Sequence, residues 1–103
     1  MAAPTRRTPT LDDVRAHRAE ISALAERYGV SDIRVFGSVA RGDADELSDL
    51  DLLVDVRPDR GLLALSAFAG EVEDLMQVPT QVATVNGLKA RIRARVTAEA
   101  VPV

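Results

Sequence analysis

Two aspartates one residue apart, Asp49 and Asp51, follow a Gly-Ser pair, Gly37-Ser38, after ten intervening residues. On a strand, side chains alternate faces, so Asp49 and Asp51 project to one side with Cα atoms about 6 to 7 Å apart. That spacing suits shared ligation of a hard cation such as Mg²⁺, which prefers carboxylate and phosphate oxygens. A pair of such ions about 3.5 to 4 Å apart clamps the attacking and leaving groups of a phosphoryl transfer. Gly37 lacks a Cβ, which allows a sharp turn and a close approach to a ligand, and the backbone N–H groups of Ser38 and Val39 could meet phosphate oxygens if a helix starts there. The Ser38 hydroxyl could add a donor. Arg41, three residues on, lies one helical turn away, where its guanidinium fork could reach the same phosphates. The pattern therefore joins a phosphate cradle to a cation site.

These residues need elements to hold them. Ile33 to Phe36 reads as a short strand ended by Gly37-Ser38, and Asp51 to Val56 as a second strand ended by Pro58. Ahead of them, Thr10 caps a single amphipathic helix in which Leu11, Val14, Ile21, Leu24, Ala25 and Tyr28 recur at helical spacing and Gly29 gives the stop. Between Gly61 and Gln77 a second stripe, Leu62, Leu65, Phe68, Ala69, Val72, Leu75 and Met76, predicts another helix. The β-branched run TQVATV after Pro79 predicts a third strand, and Leu88, Ile92 and Val96 mark a closing helix before the terminal VPV. The order indicates an α/β fold: a small mixed β-sheet packed with helices.

Composition narrows the functions available. At 103 residues the chain has room for one core. We expect a flexible leader over residues 1–10 and a single domain over 11–103. Three aromatic residues leave an aliphatic interior, and the absence of cysteine with one histidine, His17, leaves oxygen as the only metal ligand. A formal charge of −3 argues against direct nucleic-acid binding. No apolar run approaches the roughly 18 residues of a membrane span, and residues 1–10 lack a signal peptide's apolar core, so a cytoplasmic location is expected. Lys89, Arg91, Arg93 and Arg95 read as a solvated basic face of the last helix, where cations complement the helix dipole.

Gly37-Ser38, ten residues, then Asp49-Leu50-Asp51 resembles the signature of the minimal nucleotidyltransferases of the DNA polymerase β superfamily, and the resemblance extends through Arg41-Gly42, Ser48 and the closing LKARIRARVTAEAV segment. It implies a polymerase-β-like nucleotidyltransferase fold and Mg²⁺-dependent transfer of a nucleoside monophosphate from a triphosphate, AMP from ATP, with release of pyrophosphate. Members of this size are commonly antitoxins paired with a HEPN-domain RNase toxin whose hydroxyl side chain they modify. Carried over position by position, Gly37 and Ser38 would contact the triphosphate, Asp49 and Asp51 would be the catalytic metal ligands, and Arg41 and Ser48 would support the nucleotide.

One position departs from the pattern. Where the family resembles Val-Pro-Val-Asp-Val-Val-Thr and supplies a third carboxylate, this chain reads Val78-Pro79-Thr80-Gln81-Val82-Ala83-Thr84. Glutamine offers a neutral amide oxygen and cannot act as a base. Asp55, Glu73 and Asp74 offer no convincing replacement. Two readings follow: an active adenylyltransferase antitoxin, or a weakened relative that neutralises its partner by binding.

Overall fold

A computed structural model describes residues 8–103. The elements are α1 (Leu11–Ala16), α2 (Arg18–Tyr28), β1 (Val30–Phe36), α3 (Gly37–Arg41), β2 (Leu50–Val56), α4 (Leu62–Met76), β3 (Thr80–Ala83), α5 (Ala90–Glu99) and β4 (Val101–Pro102). Residues 1–7 of the expected leader lie outside the described residues; within its remainder Pro9 is buried, and the Thr10 hydroxyl accepts the Asp13 N–H at 3.1 Å as the cap of α1.

The expected single first helix is two. The chain breaks at His17 (φ −101°, ψ 16°), whose N–H bonds the carbonyl of Val14 and whose Nδ1 lies 2.9 Å from the carbonyl oxygen of Asp13. The imidazole is half-buried and bonded to the preceding turn, and Val14 and Ile21, seven residues apart, face inward on either side of the break.

The four strands form one mixed sheet in the order β3-β2-β1-β4, with β1 antiparallel to β2 and β4, and β2 parallel to β3. A bulge in β1 settles its register. Val30 and Val35 both belong to the core although their odd separation would send them to opposite faces; the extra residue between Ser31 and Arg34, with Asp32 at φ 52°, restores them to one side. Asp tolerates that left-handed conformation better than most side chains.

One face of the sheet meets the helices. Leu50, Leu52 and Val54 alternate inward from β2 against Ile21 and Ala25 of α2 and Phe68, Val72 and Met76 of α4, all in one buried cluster. Each large side chain so buried contributes about 1.5–3 kcal/mol. Leu62, placed by its spacing in that stripe, is instead exposed with Leu63 at the first turn of α4, ahead of the point where the helix reaches the sheet. Asp51, Leu53 and Asp55 take the other face by alternation. Leu53 is buried there, and it and Val96 of α5, also buried, stand outside the main cluster.

The terminal VPV, unassigned from sequence, supplies the edge strand β4. Val101 pairs with Val35 and Pro102 with Arg34, and the Val103 N–H donates to the Ile33 carbonyl at 3.2 Å. Proline, lacking an N–H, is tolerated at such an edge.

Candidate active site

Sheet register brings the acids together. Phe36, the last residue of β1, pairs with Asp51, and Asp51 pairs across the parallel ladder with Gln81 of β3. Asp49 lies one residue before β2, where the Leu50 N–H is anchored on the carbonyl of Pro79 at 2.8 Å. Gln81 Nε2 donates to Asp49 Oδ2 at 3.3 Å. Asp49, Asp51 and Gln81 therefore share one end of one sheet face, with Gln81 beside Asp51 where the resemblance places a third carboxylate.

Gly37 closes the group from the other side. It holds φ 74°, the left-handed region, and a Cβ built on it would lie 2.5 Å from Asp51 Oδ2. Backbone conformation and space both demand glycine. Gly37→Ala is expected to destabilise the fold by about 2 kcal/mol and to displace the Asp51 carboxylate. Chemical denaturation with an unchanged midpoint would contradict this. Ser38 follows in the first turn of α3, half-buried.

Arg41 and Ser48 are engaged within the protein. Arg41 at the end of α3 pairs with Asp43 at 3.3 Å and with Glu99 at 3.1 Å. Ser48 closes a turn: its Oγ accepts the Asp45 N–H at 2.9 Å, while Asp45 Oδ1 accepts the Leu47 N–H at 2.9 Å. This turn sets where Asp49 enters β2. Glu73 is likewise occupied, accepting the Thr80 N–H at 2.9 Å as β3 begins, and Asp55 lies exposed toward the far end of β2 opposite Ser31.

Glu99 is the site neighbour that sequence spacing did not reveal. It stands 62 residues after Gly37 and accepts that residue's backbone N–H at 2.6 Å. Of the basic residues in the same segment, Lys89, Arg91 and Arg95 are exposed as expected, whereas Arg93 turns back to donate to the carbonyls of Val85 and Leu88, both at 3.0 Å.

Electrostatics follow from this crowding. Burial, then the charges of Asp49 and Glu99, push the Asp51 carboxyl from its ordinary 3.8 up to about 6, with Arg41 pulling the other way. The folded state thus binds this proton more tightly than the unfolded chain does. The associated stability is fully present below about pH 4 and is lost as pH rises through about 6. In chelator, Asp51→Asn should therefore melt several degrees higher than the parent at pH 7 and show a flatter pH dependence between 4 and 7. Parallel melting curves would refute the assignment.

The donor set is suited to a hard cation in part. Among the described residues no group of three or more His, Cys, Asp or Glu side chains is gathered to hold a metal ion. Asp49 and Asp51 supply carboxylate oxygens, so an ion between them would need further oxygens from elsewhere. Mg²⁺ commonly takes one or two carboxylates together with substrate phosphates.

Known proteins resemble this chain in sequence and in fold. The nucleotidyltransferase domain family matches residues 18–103. The chain is 37% identical over 96 residues to the protein adenylyltransferase MntA of Thermococcus cleftensis, covering 89% of this chain and 94% of that protein. A solved structure described as that of a minimal nucleotidyltransferase superposes with a TM-score of 0.81 at 41% identity, covering 92% of this chain and 97% of that one. A toxin–antitoxin crystal structure with AMP-PNP shares the fold at 16% identity, with a TM-score of 0.69 over 82% of this chain and 69% of its own. The chain belongs to the minimal nucleotidyltransferases, within the polymerase-β-like nucleotidyltransferase superfamily. Among the described residues no helix is long and apolar enough to cross a membrane.

Proposed function

We propose that this protein is an adenylyltransferase antitoxin that moves AMP from ATP, with Mg²⁺, onto a hydroxyl side chain of a HEPN-type toxin partner. A hydroxyl oxygen of the partner attacks the α-phosphorus and gives up its proton to solvent; the bond from that phosphorus to the bridging oxygen of the β-phosphate breaks, and pyrophosphate leaves. The observation that carries the reading is the convergence of Asp49 and Asp51 with the Gly37 turn at one end of the sheet. The adenylyltransferase name of the Thermococcus relative and the toxin–antitoxin pair solved with AMP-PNP support it.

In this reading Asp49 and Asp51 hold the ion that accompanies the triphosphate, while Gly37 and Ser38 receive its phosphates. Bound there, Mg²⁺ neutralises phosphate charge and polarises the α-phosphoryl group. With the carboxylates of Asp49 and Asp51 close to each other beside the Gly37 turn, a triphosphate arriving without a cation would be repelled. Nucleotide binding is therefore cation-dependent. Incubation with labelled ATP, Mg²⁺ and the proposed HEPN-type partner should label that partner; no transfer from any nucleoside triphosphate would sink the proposal.

Gln81 favours a second reading, in which the protein neutralises its partner by contact and transfers slowly or not at all. Its amide donates to Asp49 and leaves this corner with one carboxylate fewer than the family pattern. Retention of neutralisation by the Asp49→Ala, Asp51→Ala double variant would favour it.

A further inference from the structure

We propose that Glu99 is a positioning residue of the nucleotide site, fixing the Gly37 turn and the Arg41 guanidinium relative to each other. The proposal rests on the nucleotidyltransferase reading above.

Its two carboxylate oxygens are divided between the two ends of α3: Oε1 accepts the Gly37 N–H at 2.6 Å and Oε2 accepts from Arg41 Nη1 at 3.1 Å. A helix of five residues has too few internal hydrogen bonds to hold its own geometry, so a brace outside it matters. Bonds to an ionised acceptor are the strong kind, and at 17% exposure the Glu99 side chain is shielded from competing water more than Arg41 at 48%.

Glu99 is itself anchored. It ends α5, and two residues later Val101 enters the sheet opposite Val35, the penultimate residue of β1. The edge strand thus fixes the end of α5, Glu99 fixes α3, and α3 begins at the glycine where any Cβ would collide with the Asp51 carboxylate. With both oxygens occupied by protein donors, Glu99 acts through Gly37 and Arg41 rather than as a base or cation ligand.

Equilibrium binding of ATP in the presence of Mg²⁺ to the full chain tests this, with thermal melts to establish that each variant is folded. Glu99→Ala should weaken binding about tenfold, and Glu99→Gln, which keeps an oxygen for the Gly37 N–H, should restore affinity to within about threefold of the parent. Combining Glu99→Ala with Arg41→Ala should cost less than the product of the single effects, because the pair acts as a unit. Should Glu99→Ala not fold, Glu99→Asp, one methylene too short to span both donors, should show the same tenfold loss. A parent that binds no triphosphate removes the nucleotidyltransferase reading and this proposal together. A parent that binds while folded Glu99→Ala or Glu99→Asp binds equally or more tightly removes this proposal alone; tighter binding would mark Glu99 as a charge that repels nucleotide.

Discussion

Asp51→Asn is expected to lower the proposed AMP transfer about a thousandfold, equivalent to ~4 kcal/mol of transition-state stabilisation. Asn keeps the shape and one oxygen but loses the charge that a hard cation requires, and Asp51 lies on β2 between Phe36 and Gln81, so the Gly37 turn and the Asp49 corner both depend on where its carboxylate sits. The measurement is the initial rate of label transfer from ATP to the purified toxin, with gel filtration to show that the complex still forms. Because removing a half-buried carboxylate should stabilise the metal-free fold at neutral pH, lost activity cannot be ascribed to unfolding. Transfer within tenfold of the parent would exclude Asp51 as the principal metal ligand.

Gln81→Asp is expected to raise transfer tenfold or more, on the order of 1.4 kcal/mol. The substitution places a carboxylate directly beside Asp51 and within reach of Asp49, which the Gln81 amide now touches. Three ionised carboxylates at one corner repel, so the variant should melt about 4–8 °C lower than the parent in chelator, on the scale of ~1 kcal/mol for a small domain. Mg²⁺ should recover more stability in the variant than in the parent. The paired readout separates the alternatives: a folded variant with Mg²⁺-dependent stability but unchanged transfer would show that the third acid is not what limits this protein. A variant showing neither effect would show that position 81 does not face the ion.

Much of the architecture was legible in local sequence. Strand, helix and turn signals between residues 33 and 83 follow side-chain periodicity and glycine or proline punctuation, which act within a few residues and survive in an isolated reading. The failures have equally physical causes. The break at His17 leaves no mark in a stripe that continues through it, because the imidazole substitutes its own bond to a carbonyl for a regular helical turn. Val101–Pro102 is too short to announce a strand and becomes one because β1 offers it an open edge. Leu62 matched the period of α4 yet lies beyond the reach of the sheet.

Gly37, Ser38, Asp49 and Asp51 stood out in sequence as candidates because the chemistry of phosphate and cation binding requires particular residue types in a short, strand-framed interval, the glutamine at 81 stood out as a departure from the same pattern, and the sheet brings Gly37, Asp49, Asp51 and Gln81 together. Tertiary structure decided what surrounds them. Arg41, which spacing aimed at phosphates, is held by Asp43 and Glu99; Ser48 shapes the turn before Asp49; and Glu99, 62 residues from Gly37, joins the Gly37 turn through a contact no local periodicity encodes. The reason is range: residue type and spacing encode the chemistry of a short motif, whereas partners brought in by sheet order and helix packing are fixed only when the whole chain has closed around the core.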